Sequence, residues 1–183
     1  IYRFKKGSGF PVSVPSVDLV EIGAGGGSQA WVDDLGLLKV GPESTGAMPG
    51  PACYGRGGER PAVTDADLIL GKLDPDNFAG GSIKLAKVES NKALLTVLGV
   101  PLDMDAETAA FGLAEVVDEN MANAARVHAV ENGEDLSEYT MIAFGGAGPL
   151  HAAEIARELN IPRFVIPRVP GHFSALGMLL ADL

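Results

Sequence analysis

The sequence predicts an α/β fold, and three observations carry that prediction. Strand-type and helix-type segments alternate over the last fifty residues, the order expected of parallel strand pairing. A stripe of apolar and small residues at helical spacing marks one long helix between about Asp105 and Asn132. The 24 glycines among 183 residues, about twice ordinary usage, gather in short runs at the ends of apolar segments and form no period. An apolar fraction of 46% is too high for a disordered chain. No apolar run approaches the roughly 18 residues that a membrane span requires, so a soluble globular piece with no membrane partner is expected. The length suits a single domain, or one lobe of something larger.

Element by element, Val17 to Ile22 reads as a short strand that runs into GAGGGS. Gln29 to Asp33 and Leu37 to Val40 follow as two more strands around a Leu35-Gly36 turn, a hairpin or meander. Residues 41 to 64 hold Gly41, Pro42, Gly46, Pro49, Gly50, Pro51, Gly55, Gly57, Gly58 and Pro61, a density no regular element tolerates, so a long ordered loop is expected. Thr64 and Asp67 have capping-box spacing ahead of Leu68-Ile69-Leu70, and Gly71 is placed to end that helix. A second helix is expected from about Ser90 to Leu98, stopping at Gly99. In the long helix Leu113, Val117, Met121, Ala124 and His128 share one face, with Glu115, Asp118 and Glu119 off it and Gly133 as C-cap. Then come a strand at Thr140 to Phe144, the turn GGAGP, a helix at Leu150 to Leu159, a strand at Arg163 to Pro167 and a helix at Ser174 to Leu180. The expectation is one sheet that holds the three early strands and Thr140 to Phe144, with the long helix packed on it.

Charge and cysteine usage bound the partners. Acidic residues outnumber basic ones 24 to 14, for a net charge of −10, which repels a phosphate backbone and argues against nucleic acid. One cysteine, Cys53, excludes an internal disulfide and fits a reducing, cytoplasmic setting. It has no basic partner nearby in sequence, so an inert thiol is favoured over a nucleophile. No leader precedes Ile1, and the chain does not open with Met, so a fragment is expected, with residues 1 to 16 as its ragged edge.

The glycine runs carry the functional signal. In GAGGGS, Gly23, Gly25, Gly26, Gly27 and Ser28 let backbone N–H groups converge on an anion without Cβ interference. The run is neither a dinucleotide fingerprint, because Ser28 stands where glycine is needed, nor a Walker A loop, because no Lys follows. A second loop, Gly145, Gly146 and Gly148 in FGGAGPLHA, precedes a helix whose free N–H groups and positive end suit a nucleotide, with His151 in its first turn. For each loop the plain alternative is a glycine turn or a helix start with no ligand. Glu21 ends a strand at the mouth of the first loop, where it could direct an attacking group or hold a metal through water, or be an edge carboxylate. Asp18 lies on the opposite face of that strand. Asp65 and Asp67 could be ligands, but capping explains both and is favoured; His128 reads as a packed core histidine, and Asn120 and Asn123 as solvated or capping polars.

EIGAGGGSQAWVD, LKVGPESTGAMPGPACYGRGG, PAVTDADLILGKLDP, AFGGAGPLHA and VPGHFSALGMLLAD, in that order, resemble the hydantoinase A/5-oxoprolinase family, which includes N-methylhydantoinase A and the β subunits of acetone and acetophenone carboxylases. Gln29, Ala62, Asp67 and His172 depart from the Ile, Thr, Asn and apolar residue expected there. The resemblance implies an actin-like ATPase (ribonuclease H-like) fold in which ATP lies between two lobes. Residues 1 to 183 would form a single domain, the second (C-terminal) lobe. Glu21 to Ser28 would be the second phosphate hairpin, Glu21 facing Mg²⁺ or the nucleophile, and Phe144 to Gly148 the adenosine loop. The first hairpin, an Asp-Gly-Gly-Thr type sequence, is not among these residues. The implied activity is ATP-dependent hydrolysis of a cyclic amide, completed with a hydantoinase B-type partner subunit or domain. A ketone carboxylase subunit, or a non-catalytic actin-like nucleotide-dependent scaffold, fits the same loops. The isolated piece is expected to be inactive, and Gly26→Asp is expected to abolish ATP turnover while leaving folding intact.

Overall fold

The computed structural model describes residues 19–181. Strand β1 (Ser28–Val32) pairs antiparallel with β2 (Leu38–Ser44), and the register shifts between Ser28 and Ala30, opposite the Gly41-Pro42 step. β2 thus runs four residues beyond the expected Val40, because the irregularity absorbs Pro42, which cannot donate to a ladder. The Asp33 carboxylate closes the connection by accepting from the N–H groups of Leu35 and Leu37 at 3.0 and 2.8 Å. Helix α1 (Val63–Ile69) follows the long loop, which contains one 3-10 turn at Ala52–Tyr54.

Helix α2 (Lys87–Leu94) does not stop at Gly99. It continues through a π turn at Leu95–Gly99 into Val100–Leu102 and ends at Asp103, whose φ of 54° is left-handed. Gly99 is needed for packing and not for termination, since a Cβ there would lie 2.6 Å from the Met104 carbonyl oxygen. Helix α3 (Ala106–Asn132) matches its sequence signals: Asp105 caps it by accepting from the Thr108 N–H at 2.7 Å, and Gly133 follows at φ 72°. At about 1.5 Å per residue it is some 40 Å long. A parallel pair, β3 (Thr140–Ile142) and β4 (Arg163–Val165), is linked through α4 (Gly148–Glu158), and α5 (Phe173–Leu180) follows.

Two expectations about the sheet are corrected. The strand expected at Val17 to Ile22 lies partly outside the described residues, and Leu19 to Ile22 belong to no strand. The hairpin and the β3/β4 pair form separate two-stranded sheets, so the single sheet is wrong. α3 still packs on β2, and at its other face on α4. One cluster of Ala30, Val63, Ala66, Leu94, Leu98, Ala109, Ala110, Leu113 and Val117 forms the main core. A satellite cluster of Cys53, Leu68 and Leu85 lies under the long loop.

Candidate functional site

The first glycine loop is built so that the carbonyl groups of Gly26 and Gly27 are occupied and their N–H groups are not. The Gly26 carbonyl accepts from both the Thr64 N–H (2.9 Å) and the Thr64 hydroxyl (2.8 Å). The Gly27 carbonyl likewise accepts from the Thr45 N–H (2.8 Å) and hydroxyl (3.2 Å). Ser28 closes the turn: its N–H donates to the Gly25 carbonyl, and its Oγ accepts from the Gly25 N–H, both at 2.9 Å. Among the described residues, no hydrogen bond engages the N–H of Gly26 or Gly27. Unpaired N–H groups on successive residues of a turn suit an anion.

Most of these glycines are required by the protein's own close packing. A Cβ on Gly26 would lie 2.9 Å from Thr64 Oγ1, one on Gly27 2.7 Å from Ser44 Oγ, and one on Gly23 3.0 Å from Pro42. At Gly25 a Cβ would meet open space. Gly26→Asp is therefore corrected as a probe: it would strain the Thr64 contact before it met any ligand, and Gly25 is the position that tests an anion.

The second glycine loop lies beside the first. A Cβ on Gly26 would be 3.5 Å from the Cβ of Ala147, although the two loops stand some 120 residues apart in the chain. Gly145 adopts φ 96° and donates its N–H to the Pro170 carbonyl at 2.9 Å. Cβ atoms on Gly145, Gly146 and Gly148 would all meet open space. α4 starts at Gly148, two residues before the expected Leu150, with Pro149 in its first turn, where a missing N–H is no loss.

His151 is fully buried. Its Nδ1 lies 2.7 Å from Asp118 Oδ1, and its Nε2 lies 3.5 Å from Asp67 Oδ2, whose other oxygen is 3.5 Å from Lys72 Nζ. Burial opposes a charged imidazole and is the largest single influence, but the two carboxylates together outweigh it and raise the pKa to about 9. The imidazole thus points into a buried ion-pair network. Asp118 joins it because α3 has a second inward row, Ala110, Ala114, Asp118 and Ala122, all buried; the sequence reading had placed Asp118 off the buried face.

The α1 cap is also corrected. The helix begins two residues earlier than the Thr64 frame, with Ala62 at the N-cap, and Asp65 at the third helical position accepts from the Ala62 N–H at 2.8 Å. Asp65 further accepts from the N–H groups of Ala52 (3.1 Å) and Cys53 (2.7 Å) and the Ser90 hydroxyl (2.7 Å). One buried carboxylate therefore fastens the long loop to α1 and α2. Burial, and then the Asp65 charge, push the Cys53 thiol far above its ordinary value, which leaves it protonated and unreactive.

Glu21 is exposed, and among the described residues no group of three or more His, Cys, Asp or Glu side chains could hold a metal ion. A lone carboxylate at the loop mouth fits a magnesium ion held chiefly by phosphate oxygens and water, not one caged by protein. Between Ile22-Gly23-Ala24 and Asn120, Asn123 and Ala124 lies an open cavity of about 360 Å³. From the sequence those two asparagines are expected only as solvated or capping polars. Among the described residues no helix is long and apolar enough to cross a membrane.

The chain is similar to the caprolactamase subunit alpha of Pseudomonas jessenii, with 39% identity over 99% of this chain and 26% of that protein. It is 40% identical to the acetophenone carboxylase gamma subunit of Aromatoleum aromaticum, over 94% of this chain and 23% of that subunit. The crystal structure of the ATP-dependent caprolactamase from Pseudomonas jessenii superposes with a TM-score of 0.85 at 40% identity, covering 94% of this chain and 25% of that one. The chain thus spans about a quarter of the length of these relatives, and its mixed helix-and-sheet architecture agrees with an actin-like ATPase lobe. The family model for hydantoinase/oxoprolinase matches residues 2–183, and the chain belongs to that family.

Proposed function

We propose that residues 1 to 183 form the second lobe of an actin-like ATPase domain, the ATP-binding lobe of an enzyme that opens a cyclic amide. The observation that carries this reading is that the two glycine loops lie side by side, one with free N–H groups and tied-back carbonyls, the other at the start of a helix. Gly25 to Ser28 would receive the β- and γ-phosphates, and Gly145, Gly146 and Gly148 the adenosine. His151 would act from beneath the second loop, not by touching the nucleotide. A lactam or hydantoin carbonyl is a poor electrophile because the ring nitrogen shares its lone pair. Transfer of the γ-phosphoryl group to the amide oxygen breaks the terminal phosphoanhydride bond, releases ADP and leaves a carbon open to water. The lobe contributes positioning and charge neutralisation by backbone N–H groups. Glu21 would hold Mg²⁺ through water, and the ion when bound would neutralise phosphate charge. A hydantoinase B-type partner subunit or domain completes the reaction, consistent with relatives named as subunits. A cytoplasmic location suits the ATP requirement and the protonated thiol.

The similarity to a subunit of acetophenone carboxylase favours a second reading on the same fold, in which phosphoryl transfer activates enolate and bicarbonate oxygens. Incubating the complete protein and its partner with ATP and a panel of lactams and hydantoins, or with ketones and bicarbonate, separates the two. ADP release stimulated by a cyclic amide supports the hydrolase. Stimulation by ketone plus bicarbonate alone moves the protein to the carboxylase branch, and nucleotide release indifferent to both panels rejects each.

A further inference from the structure

Helix α1 reaches the first glycine loop and the helix that follows the second through side chains one turn apart. At its first turn Thr64 gives the Gly26 carbonyl two hydrogen bonds, at 2.9 and 2.8 Å. One turn on, Asp67 faces His151 Nε2 at 3.5 Å, and His151 belongs to the first turn of the helix that follows the second loop. Asp118 holds the other imidazole nitrogen at 2.7 Å, which fixes the ring's orientation from α3. Thr64, Asp67, Asp118 and His151 are all buried. Neither Asp67 oxygen nor His151 Nε2 finds a hydrogen-bond partner within normal range, so the ion pair itself is the joint, backed by Lys72 on its outer side.

Such a network is poor evidence of stability, since desolvating charges costs about as much as their attraction returns. What it does supply is geometry. Three buried groups from three helices, Asp67, Asp118 and His151, meet at one point, and Thr64 on the same helix as Asp67 holds the first glycine loop one turn away. An ATP molecule that reaches from one loop to the other needs a fixed separation between them, because an error of about 1 Å is enough to misplace a reacting phosphate. We propose that Thr64 and Asp67 are positioning residues: α1 acts as a bracket that sets the spacing of the two glycine loops, Thr64 gripping the phosphate loop and Asp67 gripping the adenosine-type loop through His151. The inference rests on the nucleotide reading above.

The test compares ligands that span the loops with ligands that touch only one. Asp67→Ala breaks the joint yet leaves the Asp118–His151 pair charge-balanced, and Asp67→Asn keeps a side-chain oxygen for the imidazole. In the complete protein, binding of ATP, inorganic pyrophosphate and adenosine is measured by calorimetry at a temperature where circular dichroism shows each variant folded. For Asp67→Ala the expected result is ATP binding weakened tenfold or more, pyrophosphate and adenosine unchanged within twofold, and recovery of ATP affinity in Asp67→Asn. A general loosening of the fold would weaken all three ligands together and overturns the proposal, as does ATP affinity within twofold of the parent. Should Asp67→Ala not fold, Thr64→Val removes the hydroxyl bond at the other joint with little change of shape, and the same ligand pattern decides. If the unmutated protein binds none of the three, the nucleotide reading has failed, not the bracket alone.

Discussion

Asp65 accepts four hydrogen bonds in a fully buried site. Asp65→Ala would orphan the donors of Ala52, Cys53, Ala62 and Ser90, at about 1–3 kcal/mol for each left unsatisfied. The expected outcome is a loss of at least about 3 kcal/mol in denaturant unfolding, with the segment around Ala52–Tyr54 the first to become protease-sensitive; a loss below about 1 kcal/mol contradicts this account. Its neighbour Cys53 is expected to be dispensable. Cys53→Ser should keep ATP-dependent turnover of the complete enzyme within about a hundredfold of the parent, the lower end of what a positioned chemical group contributes. At the first glycine loop, a charge at Gly25 enters open space, whereas one at Gly26 meets Thr64. Gly25→Asp should therefore leave the melting temperature near the parent's and abolish ATP turnover. A variant that melts normally and still turns over ATP at the parent rate removes the anion from this loop.

Among the elements, those with local signals were legible in the sequence and those defined by distant partners were not. α3 has its cap at Asp105, its stop at Gly133 and an apolar row between them, all within one segment. Asp118 was missed because a carboxylate interrupts the apolar period, and its reason for being buried, His151, stands 33 residues away. The small row Ala110, Ala114, Ala122 around it was the available signal that a second face of α3 is covered. The frame of α1 slipped because Thr64 and Asp65 both have capping chemistry; Thr64 spends its hydroxyl on Gly26, which leaves Asp65 to cap. The grouping of strands into sheets rests on pairings no local pattern records, so one sheet was expected where two occur. The α1/α3/α4 junction also fixes a pH dependence. His151 has an ordinary pKa of 6.5 and is raised to about 9 in the fold. Its contribution is fully present below about pH 6.5 and is lost as pH rises through about 9, on the order of 3 kcal/mol between those limits. Melting temperature should fall from pH 6.5 to 9.5, and Asp118→Asn should flatten that fall; equal slopes in the two proteins would assign the titration to another group.

At the scale of the whole molecule, the two glycine loops lie side by side while many apolar residues of β3, β4 and α5 and of the segments that follow β3 and β4 lie open. Ile142, Phe144, Phe164, Val165, Ile166, Met178, Leu179 and Leu180 are all exposed among the described residues. Sheets of two strands with an uncovered apolar face are marginal by themselves, and the relatives are about four times as long as this chain. Around the site the described residues supply free N–H groups at Gly26 and Gly27, open space beside Gly145, Gly146 and Gly148, and the neutral Asn120 and Asn123 side chains across the cavity from Gly23, which no Lys or Arg lines. Phosphoryl transfer needs charge neutralised from both sides and water kept away, since catalysis here is positioning and preorganised electrostatics. The 183-residue chain alone is therefore expected to bind ATP only at about millimolar concentration, on the order of −4 kcal/mol, with chemical-shift changes confined to Gly23–Ser28 and Gly145–His151. It should neither open a lactam nor hydrolyse ATP at rates ordinary for enzymes. Turnover of roughly 1 s⁻¹ or faster by this chain in isolation would mean that the groups opposite the loops are dispensable and that the chemistry already lies within these residues.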